Sequence, residues 1–157
     1  MSQESRSGIE VTGSVFAGAS RPGDFAWMIE QPEYADTLFV FNDNEEQFRA
    51  FLAGDPSGCA PGGGNAVIRP WRCHDPPRAA GIPTGVAGAG YATLSEDVRR
   101  TIDLAIDHIA SLLASGRYTR VLYSAADSGG DLGTGIFSVA PEVRRCIVDR
   151  LEALRRP

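Results

Sequence analysis

Apolar residues fall along this chain in two rhythms. Val98, Ile102, Ala105/Ile106, Ile109 and Leu112/Leu113 recur every three to four residues and predict a helix over 93–115, closed by Gly116. Thr93-Leu-Ser-Glu96 reads as its capping box. Pro141 opens a second helix to Leu154, with Val143, Ile147 and Leu151 facing inward. Between such segments stand short unbroken apolar runs, Asp36–Asn42 and Tyr118–Ser124, as expected of strands buried on both faces of a parallel sheet. Ile9, Val11, Val15 and Phe16 mark a first strand, interrupted at Gly13-Ser14. Asp24 is placed to cap a short helix over 25–30. Asn44, with Gln47 three residues on, starts a helix carrying Phe48, Phe51 and Leu52 and ended by Gly54. Residues 66–71 fit a short strand or a helical turn ended by Pro70, and residues 72–92 read as irregular. Strands alternating with helices make an α/β domain with a mostly parallel central sheet, Rossmann-like, in three α/β/α layers.

Length and composition sharpen this only a little. The chain of 157 residues suits one domain, taken as 8–157 behind a polar, disordered tail at 1–7. A net charge of −5 with no basic run beyond two residues gives no indication of nucleic acid as a partner. No apolar stretch is long enough for a membrane span, and the N-terminus has no signal-peptide core, so a cytoplasmic protein is expected. Three cysteines, Cys59, Cys73 and Cys146, then read as reduced thiols. Cys73-His74-Asp75 lacks a second ligand pair at metal spacing, and no metal or cofactor is expected. His108, beside the apolar stripe of its helix, reads as structural.

Two glycine-rich stretches serve the ends of the buried runs, one directly and one, behind Asn42-Asp43-Asn44, downstream of the following helix. One is Asp127–Phe137, with Gly129, Gly130, Gly133 and Gly135; the other is Gly62-Gly63-Gly64-Asn65. Strand–glycine loop–helix junctions expose backbone N–H groups that cradle anions. In an open α/β sheet, ligands bind beyond the carboxyl ends of the strands. If the two strands are neighbours, both loops flank one crevice and suit a diphosphate. Arg69 and Arg72 could neutralise it, and Phe137 or Trp71 could pack a base or ribose.

The order of these pieces resembles that of macro domains, the ADP-ribose-binding α/β fold. Val11–Phe16 is similar to the family's opening strand, Leu38–Asn44 to the strand ending in asparagines, Gly62–Arg69 to the glycine loop entering a helix, and Gly133-Thr134-Gly135-Ile136-Phe137 to the last loop. The resemblance spans roughly residues 9–154 and implies a macro-like fold. It implies binding of ADP-ribose, a related NAD-derived nucleotide or an ADP-ribosylated macromolecule, with hydrolysis as a further activity of some relatives. Carried onto this chain, the ligand would meet Ser14, Gly62–Asn65, Gly129, Gly130 and Gly133–Phe137. Asn42, Asp43, Asn44 and Asp127 would orient a ribose or activate a water. Ser14 stands where the family places an aspartate for the adenine amino group, and the stretch after the first glycine loop lacks one clear strand. The alternative expectation is a non-enzymatic interaction protein that keeps such a fold with its pocket lost or repurposed.

Overall fold

A computed structural model describes residues 8–157; the expected tail at 1–7 lies outside them. Its core is a four-stranded, wholly parallel sheet of β1 (Glu10–Val15), β2 (Thr37–Asp43), β3 (Ala79–Pro83) and β6 (Arg120–Ala125), in the order β1-β6-β2-β3. A small antiparallel pair, β4 (Gly85–Val86) and β5 (Ala89–Gly90), follows β3. The helices are α1 (Phe25–Met28), α2 (Glu45–Leu52), α3 (Glu96–Leu113) and α4 (Pro141–Glu152). Three 3-10 stretches complete the fold, Pro32–Tyr34, Pro56–Cys59 and Gly64–Cys73.

Strand periodicity divides the core. Leu38 and Val40 of β2 join Val121 and Tyr123 of β6 in a cluster roofed by α3 and α4, together with Phe48 of α2. The alternate residues Phe39, Phe41 and Leu122 pack beneath α1 and the Gly64–Cys73 stretch. Successive side chains of a strand point to opposite faces, so an unbroken apolar run is what a sheet covered on both sides requires. The expected α/β class with a parallel sheet is thereby realised.

Several local expectations are corrected. β1 runs unbroken through Gly13-Ser14, in register with Tyr123 and Ser124 of β6, and position 13 is glycine because a side chain there would collide with Ala125 and the Tyr123 ring. β3 lies inside the stretch expected to be irregular; all five of its residues are buried, but Ala-Ala-Gly-Ile-Pro has little of the β-branched and aromatic character that announces a strand. Residues 66–71 are helical, within a 3-10 stretch that continues past Pro70. The cap of α3 is Ser95, whose hydroxyl accepts from the Val98 N–H, and not Thr93. Asp24 stands at the N-cap position of α1, but its carboxylate accepts from the Ser20 N–H and makes no capping bond to the helix. Asn44 does cap α2, accepting from the Gln47 N–H at 2.8 Å, but the Gln47 side chain turns to the Ser57 carbonyl and leaves the capping box half made.

The cysteines depart most from expectation. Cys59 and Cys73 form a disulfide across 14 residues, and Cys146 alone is free. Two spaced cysteines with no C-x-x-C signature give no hint of their pairing; the 3-10 stretches at 56–59 and 64–73 bring them together. At the far side of the sheet, Ile9 and Arg156 exchange both backbone hydrogen bonds, and the Arg155 guanidinium donates to the Val11 carbonyl at 2.8 Å. No helix among the described residues is long and apolar enough to cross a membrane.

His108 supplies a pH test of the fold. Its ring meets Phe51 edge-on at 5.4 Å between centroids. Burial, and secondarily the Arg72 cation, hold its pKa below the ordinary 6.5. Below about pH 6.5 the unfolded chain therefore takes up a proton that the folded protein resists, and stability falls as the pH drops. Chemical denaturation from pH 7.5 to 5 should show a steeper loss for wild type than for His108→Gln. Parallel curves would remove His108 as the cause.

Candidate functional site

Because β2 and β6 are neighbours, with Val40 opposite Tyr123, the loops leaving their carboxyl ends emerge side by side. Two asparagines stitch the region together. The Asn42 amide donates to the Gly133 carbonyl at 2.7 Å, joining the end of β2 to the second glycine loop. Asn65, at the end of the first, donates to the Ser124 hydroxyl at 2.7 Å and to the Gly23 carbonyl, and accepts from the Phe25 N–H at 3.1 Å. Asn65 thus holds the first glycine loop to β6 and to the start of α1. Ser14 is the register partner of Ser124, so it stands on the neighbouring strand at the same level.

The second loop divides into two parts. In 127–131 the chain closes on itself: the Ala126 N–H donates to the Asp131 carbonyl, the Gly130 N–H to the Asp127 carbonyl, and the Gly129 N–H to the Asp127 carboxylate. Tyr123 fastens this turn by donating to the Gly130 carbonyl at 2.7 Å. The amides of Gly129 and Gly130 are consequently spent within the loop, and that of Gly133 goes to the Ser124 carbonyl. Asp131 pairs with Arg144 of α4. Beyond Gly133, the N–H groups of Thr134, Gly135 and Ile136 have no backbone acceptor among the described residues. Gly135 sits at φ +62°, Ile136 is 94% exposed and Phe137 is 45% exposed. The part of the loop open to a ligand is therefore Thr134–Phe137, not its first two glycines.

Asn42, Asp43 and Asn44 do not make one constellation, because consecutive residues at a strand end diverge. Asn42 serves Gly133 and Asn44 caps α2, as above. Asp43 turns under the sheet and is fully enclosed: one carboxylate oxygen accepts from Arg69 Nε and a terminal nitrogen at 3.2 and 3.0 Å, the other from Arg72 at 2.6 Å. A carboxylate with both oxygens committed to guanidinium groups and no access to water is a structural anchor, not a base. Asp127 is exposed, with one oxygen held in its own turn.

Arg69 and Arg72 are correspondingly buried, and neither reaches out to a ligand as the sequence suggested. Arg72 also donates to the Gly58 and Gln47 carbonyls and lies 5.3 and 4.5 Å from the Phe41 and Phe51 ring centres. Burial pulls its pKa down and Asp43 opposes the shift. Arg69 donates to the Ala60 carbonyl, and its guanidinium sits so close to Gly62 that a side chain there would approach it to 2.7 Å. Two cations share one carboxylate, leaving one positive charge enclosed directly beneath the first glycine loop. A buried charge is weakly screened, so its potential reaches the loop surface. The next two glycines, Gly63 and Gly64, have open space where side chains would stand.

Sequence reading overlooked Ser124 and the anchoring role of Asp43. The arginine spacing of three, i and i+3 in a helical turn, was the available sign that both could reach one carboxylate. Trp71 packs partly buried against the α1-side core and tilts over the exposed His74 ring at 4.8 Å, away from any catalytic cysteine pair, since Cys73 is in the disulfide. No group of three or more His, Cys, Asp or Glu side chains able to hold a metal occurs among the described residues. Two cavities, of about 450 and 260 Å³, lie elsewhere: one between α2 and α3, lined by Glu45, Arg49, Tyr91 and Thr101, the other between Gly129-Gly130 and α4. No family model, curated protein or solved structure matches the chain.

Proposed function

We propose that the crevice at the carboxyl ends of β2 and β6 binds ADP-ribose or a related NAD-derived nucleotide, free or on a macromolecule, and that the domain is macro-like in this respect. The observation that carries this reading is the enclosed positive charge of the Arg69–Asp43–Arg72 cluster beneath Gly62–Gly64. It favours an anion at the Gly63 and Gly64 N–H groups, since that of Gly62 is spent on the Ala66 carbonyl. The second phosphate would meet the free amides of Thr134–Ile136, and Phe137 would pack against the distal ribose. Ser14 and Ser124 would offer hydroxyls in place of a base-reading acid. With Asp43 enclosed and Asn44 engaged as a cap, Asp127 is the remaining acid for any hydrolysis.

A second reading, a protein-interaction domain, draws on the exposed Ile136, Phe137 and Phe16 and on the position of the two cavities outside the crevice. Calorimetry with ADP-ribose separates the two. Saturable binding is expected, weakened at least about tenfold, or about 1.4 kcal/mol, by Gly64→Val and by Gly135→Val. Both glycines have positive φ and open surroundings, so the substitutions reshape the loops without filling the core. Absence of heat and of thermal shift at millimolar ligand would leave the interaction reading.

A further inference from the structure

We infer that the Cys59–Cys73 disulfide is a thiol-operated control on the first glycine loop, and so on the crevice; its consequence for ligand rests on the nucleotide reading above. The disulfide closes a ring of chain that contains Gly62–Gly64 together with Asn65, Arg69 and Arg72, the loop's own side chains that tie it to β6 and to Asp43. Both arginines are moored to carbonyls that flank Cys59: Arg72 to Gly58 at 2.9 Å and Arg69 to Ala60 at 3.0 Å. The Arg69–Asp43–Arg72 cluster therefore depends on the place of Cys59, which the bond to Cys73 secures. Cys73 is exposed while Cys59 is half-buried, so a thiol has access from the Cys73 side.

The chemistry is ordinary exchange with a small-molecule thiol. Its thiolate attacks the Cys73 sulfur, the S–S bond breaks, and the Cys59 thiolate leaves and takes a proton. A second thiol attacks the mixed disulfide, and Cys73 leaves as a thiolate that is protonated in turn. Two electrons and two protons pass to the protein, and the reductant departs as its own disulfide. Opening a ring of this size restores chain freedom worth roughly a hundredfold in the population of the loosened segment. The loosened segment lets Arg69 and Arg72 withdraw from Asp43, and the charge beneath the loop is no longer held in place.

The test uses Cys146→Ser protein, so that the free cysteine contributes nothing, in oxidised and dithiothreitol-reduced forms. Alkylation of two cysteines verifies reduction. Hydrogen exchange is followed at the Gly62, Ala66 and Arg78 amides, which are bonded to the Ala66, Gly63 and Trp71 carbonyls, with Ile109 of α3 as reference. Reduction should accelerate exchange at the three amides at least tenfold with Ile109 unchanged, and should weaken ADP-ribose binding at least tenfold. Cys59→Ser should match the reduced form and ignore the thiol. Unchanged exchange after full reduction overturns the inference, as does saturable ADP-ribose binding of equal affinity in the two forms. If exchange responds but neither form binds ADP-ribose, the control of the loop stands and the nucleotide reading falls.

Discussion

Asp43→Asn is expected to cost about 3–5 kcal/mol of folding stability, which for a chain of this size lowers the melting temperature by roughly 6–20 °C. The substitution keeps the shape and removes the only negative charge shared by two buried guanidinium groups. Their desolvation is then uncompensated, and arginine cannot escape by losing its proton. The triple replacement Asp43→Leu, Arg69→Met, Arg72→Met removes the charges together and should cost less than Asp43→Asn alone, since no isolated ion remains. Thermal and urea denaturation of both variants decide the matter. A loss below about 1 kcal/mol in Asp43→Asn would mean that water reaches the arginines and that no enclosed charge lies beneath the glycine loop.

Gly81→Ala is the next largest. Gly81 lies in β3 beside Phe41, and an added methyl would stand 2.8 Å from an Asp43 oxygen, 2.9 Å from an Arg72 nitrogen and 2.9 Å from the Phe41 ring. Side-chain ends can usually move aside, but these three are locked in one network. Overpacking of about 1–3 kcal/mol follows. The penalty should shrink when the triple replacement above is present, because the atoms crowding position 81 have changed; purely additive losses in that cycle would place the strain elsewhere.

How much of this could be read from the chain depends on where the information lies. α3 and α4 were legible because a periodic apolar stripe is a property of consecutive residues, and β2 because a strand covered on both faces must be apolar throughout. β3 was not, since its small residues answer to neighbours contributed from elsewhere: Gly81 makes room for a carboxylate on β2 and a guanidinium from the 3-10 stretch. The site divides along the same line. Strand order makes the carboxyl ends of β2 and β6 neighbours, but it is Asn65, reaching Ser124 from beyond α2, that brings the first glycine loop to β6. The Asn44 cap was legible because its partner, Gln47, is three residues on, whereas the roles of Asn42 and Asp43 are set by partners 26 to 91 residues away, which no local window contains. Gly129 and Gly130 misled for a related reason. Glycine signals an unusual backbone, not whether the freed amides face a ligand or the loop itself.

The contacts of Arg155 and Arg156 bear on a hazard of any open sheet. β1 is an outermost strand, and its outward backbone groups are a template to which a foreign strand can add. At Ile9 both groups are already taken by Arg156, and the next outward carbonyl, that of Val11, is taken by Arg155. The last residues of the chain thus blunt the beginning of that edge, and shaving them away would expose a ready seam for aggregation.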